Sequence, residues 1–222
     1  MKYRINFLCV SRTETDLFKK TSHLILSCFI CVILFSHTAI SKDHDIAVKN
    51  RITELHGLIV NNRDKSEHEK LELVNDFFNK AEYGSDYEIW GREDYWATPT
   101  EVLFVWQADC EDYSIAKYFT LLEMGVSVEK LRITYVKSLK LNVAHMVLIY
   151  YEHSHAEPLV LDNLTGVIKP VSQRRDLQPV YNFNGESLWL IKRLGNEQRV
   201  GSSDRIGLWR VLNNRMDKDV LL

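Results

Sequence analysis

Cysteine is scarce in this 222-residue chain: there are four, and three of them, Cys9, Cys28 and Cys31, fall before residue 41. If that segment is removed, Cys110 is the single thiol left and no intramolecular disulfide can form. A surplus of charge of one sign is also lacking. The chain carries 28 Lys plus Arg against 30 Asp plus Glu, so it has no basic field to drive sequence-independent binding, and nucleic acid is not an expected partner. No apolar run reaches the roughly 20 residues that a membrane-spanning helix needs. Internal repeats and low-complexity tracts are absent, and the length fits one domain with a core large enough to be stable without disulfides.

The longest apolar run, residues 24–35, follows Lys2, Arg4, Arg12, Lys19 and Lys20 and precedes Ala39-Ile40-Ser41. That order is a signal-peptide layout with a cleavage site near Ser41, so export is expected, with residues 1–41 as leader and 42–222 as one mature domain. The leader holds 5 basic and 2 acidic side chains, and taking these from 28 and 30 leaves 23 and 28, a net charge of minus 5. No direct membrane insertion is expected once the leader is gone.

Helical spacing of apolar residues predicts helices over 44–62 and over 71 to about 81. Residues 83–100 mix Gly84, Gly91 and Pro99 with Tyr83, Tyr87, Trp90, Tyr95 and Trp96 and read as a long aromatic loop of the kind that lines sites. A further helix begins after Asp109, with Gly125 as its stop. Strands are predicted over 131–136, 143–151 and 159–161, with more near 167–171 and 188–192, and a last helix over 203–216. Helices, then a site helix, then antiparallel strands indicate an α+β domain.

Cys110 therefore stands at a helix N-terminus, where unpaired backbone N–H groups favour a thiolate. Against this, Asp109, Glu111 and Asp112 surround it with negative charge. Two explanations are open: the acids cap the helix, or they hold a hard cation of the calcium type that neutralises them. His145 lies in the strand over 143–151, the one polar ring among Ala144, Met146, Val147, Leu148 and Ile149. Asp162 ends the strand over 159–161, placed to accept from the far imidazole nitrogen and fix its tautomer. A Cys at a helix start followed by His and Asp on successive strands is the order of papain-like and transglutaminase-like triads. His153 and His155 lack a third ligand for zinc. Asn142 and Trp96 are candidates for positioning substrate or an oxyanion.

The stretches Tyr95-Trp-Ala-Thr-Pro-Thr-Glu101, Asp109-Cys-Glu-Asp112, Ala144-His-Met-Val147 and Leu159-Val-Leu-Asp-Asn163 together resemble the bacterial transglutaminase-like cysteine proteinases. The resemblance implies a papain/transglutaminase-like fold, with a helical N-terminal lobe and an antiparallel sheet. It implies a catalytic triad of Cys110, His145 and Asp162, and calcium on Asp109 and Glu111, with Asp112 a further candidate ligand. It also implies a periplasmic protease that cuts a large secreted adhesin near its N-terminus, at an Ala-Ala type site, and is sequestered by an inner-membrane cyclic di-GMP receptor. The alternatives are a transglutaminase-type acyl transferase with the same triad, or a calcium-binding module with an inactive one. One departure stands out: Trp106-Gln107-Ala108 occupies positions that are glycine-rich in the family pattern, and its bulk is expected to narrow the cleft or alter substrate choice.

Overall fold

The structure is a computed structural model that describes residues 42–153, 155–191 and 197–216. The expected signal peptide, with Cys9, Cys28 and Cys31, lies outside the described residues. The chain divides into two compact units, residues 1–49 and 50–222. Of the first, residues 42–49 are described, and they are helical. Among the described residues, no helix is long and apolar enough to cross a membrane.

In chain order, helix α1 spans residues 42–61, and α2 (Glu67–Phe78) starts at a capping box in which Ser66 and Glu69 satisfy each other's backbone N–H. The segment read from the sequence as an aromatic loop is instead organised. It contains strand β1 (Glu82–Tyr83), α3 (Asp86–Trp90) and the start of α4 (Pro99–Val105). Each of these helices opens on its own capping box, Ser85 with Glu88 and Thr98 with Glu101. The helices are too short to show apolar periodicity, so their caps are the only sequence signal they carry.

Strand β2 (Gln107–Ala108) pairs in parallel with β1, Glu82 to Gln107 and Tyr83 to Ala108, and leads directly into α5 (Cys110–Glu123). The main sheet has seven antiparallel strands in the order β6-β5-β4-β3-β7-β8-β9. They are β3 (Leu131–Ser138), β4 (Val143–Tyr150), β5 (Leu159–Leu161), β6 (Lys169–Pro170), β7 (Leu177–Phe183), β8 (Leu188–Ile191) and β9 (Glu197–Gly201). Helix α6 (Gly207–Met216) closes the described chain. Strands β7 and β9 are additions to the sequence reading.

Helix α5 packs on β4 and β3, and the core runs between them through Ile115, Tyr118, Leu121, Met146, Leu148 and Trp209, all buried. Alternate residues of β4 face the other way, where Val147 and Ile149 meet Val136 and Val160. This two-sided burial explains why β4 reads as a continuous apolar run.

Candidate active site

The approach to Cys110 is rigid. Helix α4 ends at Trp106, which takes a left-handed backbone with φ 55. The short parallel ladder then fixes the chain, with Glu82 N–H donating to the Trp106 carbonyl and Gly84 N–H to the Ala108 carbonyl, both at 3.1 Å. A glycine would suit the Trp106 backbone without strain. The indole instead packs edge-on against Phe77, with Arg51 over its other contact surface at 5.3 Å. Neither Trp106, Gln107 nor Ala108 lines the cleft beside Cys110. The expectation that their bulk narrows the cleft is therefore corrected: the side chain is spent on packing.

Cys110 and His145 line one cleft of about 700 Å³. His145, the third residue of β4, is buried, and its Nε2 lies 2.8 Å from Asp162 Oδ1. The register explains the meeting. Leu148 pairs with Leu161, so one step further puts Asp162 opposite Val147 and makes His145 its diagonal neighbour on the same face. Leu164 N–H donates to the same Oδ1 at 3.0 Å, Arg174 Nη2 lies 2.7 Å from Oδ2, and Asn79 Nδ2 donates to the Asp162 carbonyl.

Burial alone would raise the Asp162 carboxyl. The His145 hydrogen bond and charge, the Leu164 N–H and Arg174 outweigh it and hold the group at about 2. Because this folded value lies below the ordinary 3.8, the stabilisation is fully present above about pH 4 and is lost as the pH falls toward 2. It amounts to about 2 kcal/mol. Asp162→Asn is expected to remove this part of the acid-unfolding profile, as measured by denaturant titration between pH 5 and pH 2.

The opposite wall of the cleft is acidic. Oxygens of Asp86, Asp109 and Glu111 lie within 4.8 Å of one another. Asp109 is the N-cap residue of α5 yet makes no side-chain capping bond, and its Oδ1 is buried without a partner. Asp86 accepts Tyr95 N–H at Oδ2, while its Oδ1 is likewise buried and unpartnered. Burial, the largest effect, and the neighbouring carboxylates raise Asp109 and push Asp86 up to about 6. Carboxylate oxygens converging from three residues, two of them with a buried and unpartnered oxygen, are the donor set a hard divalent cation takes.

Asp112 does something else. Its Oδ1 accepts Ala97 N–H at 2.7 Å, its carboxylate faces the Asp109 backbone N–H, and its Oδ2 is buried without a partner. Asp109 and Glu111 thus converge with Asp86, while Asp112 lies outside that group and faces the backbone of Asp109 and Ala97, as an acid in a first helical turn does.

Cys110 feels this wall directly. Its Sγ donates to Glu111 Oε2 at 2.9 Å. Burial first, then Glu111 and Asp109, push the thiol well above its ordinary value, against a backbone N–H from Met146 that favours the thiolate. The rest of the cleft combines Ser85, Glu93 and Asp94 with aromatic and apolar residues: Trp96, the stacked pair Tyr135 and Tyr181, and Ile206 and Leu208 ahead of and within α6. Asn142 forms the exposed β3–β4 turn at φ 57 and does not line the cleft. His153 and His155 join no group of three metal-ligating side chains among the described residues.

Residues 48–177 match the family model described as bacterial transglutaminase-like cysteine proteinase BTLCP, a span that includes Asp86, Cys110, His145 and Asp162. The chain belongs to this family. Among solved structures, this bacterial transglutaminase-like cysteine proteinase is similar to LapG of Legionella pneumophila, at 42% identity and TM-score 0.69, over 80% of this chain and 97% of that one. An EGTA-treated LapG matches equally, and a calcium-bound LapG matches at 44% identity and TM-score 0.68 with the same coverage. No curated protein matches. The α+β architecture expected from the sequence is that of the family.

Proposed function

We propose that this chain is a calcium-dependent periplasmic cysteine endopeptidase that cuts a large surface adhesin in its N-terminal region and so releases it, promoting biofilm dispersal. The reading is carried by the His145–Asp162 hydrogen bond in the cleft that Cys110 lines, within a chain 42% identical to LapG. Cys110 Sγ attacks the scissile carbonyl carbon. His145 takes the thiol proton at Nδ1, since Nε2 is committed to Asp162, and returns it to the leaving amine. Water, deprotonated by the same nitrogen, then hydrolyses the thioester. Cys110 is the first residue of α5, so its own N–H has no intrahelical partner and is offered to the developing oxyanion.

Asp86, Asp109 and Glu111 would hold the calcium ion. A divalent cation there supplies the positive charge that offsets three carboxylates and draws Glu111 off the thiol, lowering its pKa. Export rests on the leader-like residues 1–41. With it goes the proposed inhibitory partner, an inner-membrane cyclic di-GMP receptor that sequesters the protease.

The test is incubation with N-terminal fragments of the large repeat adhesins of the same cell, with and without a primary amine, read by mass spectrometry. Two peptides whose masses sum to the substrate plus one water are expected. Fragments left whole, or gaining the amine without a cut, would overturn the reading.

A further inference from the structure

A second buried charge stands beside Asp162, outside the Cys110 cleft. Arg174 follows a single 3-10 turn, Val171–Gln173, and is only 6% exposed. Its Nη2 lies 2.7 Å from Asp162 Oδ2, and its Nε and Nη2 donate to the two oxygens of Asp176 at 3.0 and 2.9 Å. The backbone holds both ends of this arrangement. Arg174 N–H donates to the Val171 carbonyl, Leu177 N–H donates to the Arg174 carbonyl, and the Asp176 carbonyl accepts Leu139 N–H at the end of β3. The Asp162 carboxylate thus has hydrogen bonds on Oδ1, from His145 and the Leu164 N–H, while the buried Oδ2 has no hydrogen bond and faces the guanidinium as an ion pair.

We propose that Arg174 is a positioning residue for the reaction, a fixed cation clamped by Asp176 that keeps Asp162 ionised and turned so that Oδ1 faces His145. The proposal rests on the roles assigned above to His145 and Asp162. A carboxylate held on one edge alone can rotate about its last torsion or take up a proton, and a buried one is under pressure to do so. A guanidinium opposes both, because it does not lose its charge and its own fork is held in place by Asp176. The buried Lys117 feels the Asp162 charge but does not bond its carboxylate, and burial lowers its own pKa to about 7. Lys117 Nζ bonds Asn75 and Asn79, and Asn79 reaches only the Asp162 backbone carbonyl.

The experiment is histidine-selective NMR of the whole chain, with His145→Gln assigning the His145 signals, alongside cleavage kinetics. Arg174→Met keeps the volume and removes the charge. Without the guanidinium Asp162 is free to turn or to take up a proton, and the imidazole of His145 loses its partner in part of the molecules. The low-field proton of its hydrogen bond to Asp162 weakens, and kcat falls at least about tenfold with KM unchanged. Arg174→Lys, which keeps the charge, retains a low-field signal close to that of the unmodified chain. Asp176→Asn, which loosens the clamp, shifts the same signals in the same direction by less. If Arg174→Met does not fold, Arg174→Lys and Asp176→Asn carry the comparison. A low-field His145 signal identical in every folded variant overturns the proposal. Normal NMR behaviour without cleavage of any adhesin fragment strikes the substrate assignment instead.

Discussion

Cys110→Ala takes cleavage of the adhesin fragment down to background, a fall of about 10⁶ in kcat. The size follows from the cleft's inventory. Cys110 is its one thiol, and the one serine of its lining, Ser85, is held in a capping box with Glu88. Without a nucleophile, His145 has no proton to take and no thioester can form. The fold is expected to survive, because the substitution removes one half-buried sulfur whose only side-chain hydrogen bond is to Glu111. Unfolding in urea should shift by no more than about 1 kcal/mol. Lost activity in a chain that unfolds as before assigns the nucleophile; retained cleavage removes the triad.

Chelation is expected to cost nearly as much as a catalytic substitution, although no acid of the proposed calcium set takes part in proton transfer. A carboxylate a few ångströms from the sulfur opposes the thiolate by several kcal/mol at an effective dielectric of about 20, and Cys110 has Glu111 in contact and Asp109 next to it. Removing the neutralising charge should lower kcat/KM by about two orders of magnitude at pH 7. Substitutions sharpen the point. Asp86→Asn and Asp109→Asn are expected to raise the calcium concentration for half-maximal activity by at least about tenfold. Asp112→Asn should leave that concentration unchanged and lower stability instead, because its carboxylate bonds the Ala97 N–H. Equal calcium dependence in all three variants would dissolve the distinction between the cluster and Asp112.

The parts of the site readable in the sequence are those with a local signature. Cys110 follows a loop and opens an apolar helix; His145 interrupts a β-branched run; Asp162 ends another. Adjacent strands then bring His145 and Asp162 within hydrogen-bond range. Asp86 had no such signature. It lies 24 positions before Cys110 in a five-residue helix, and only tertiary folding carries it to Asp109 and Glu111. The capping boxes at Ser85 and Thr98 are local signatures, but the Gly and Pro around them read as a loop.

Strand β7 escaped for a physical reason. Pro179 argues against a central strand, yet it pairs with Val136 at the point where the β3–β7 register shifts between Tyr135 and Val136. A missing N–H costs little at such an irregularity. Strand β9, Glu-Gln-Arg-Val-Gly, is a polar edge without an apolar face to announce it. Arg174 carries no periodic signal at all, and its significance comes from what it touches.

The central claim, a nucleophile whose reactivity is set by a cation it does not ligate, is tested most directly by the alkylation rate of Cys110. It is the one thiol of residues 42–222, so iodoacetamide labelling of that chain at pH 7 can be followed by intact mass without a substrate. The rate should fall by about two orders of magnitude when calcium is replaced by chelator, and recover on adding calcium back. A rate unchanged by calcium would contradict the account.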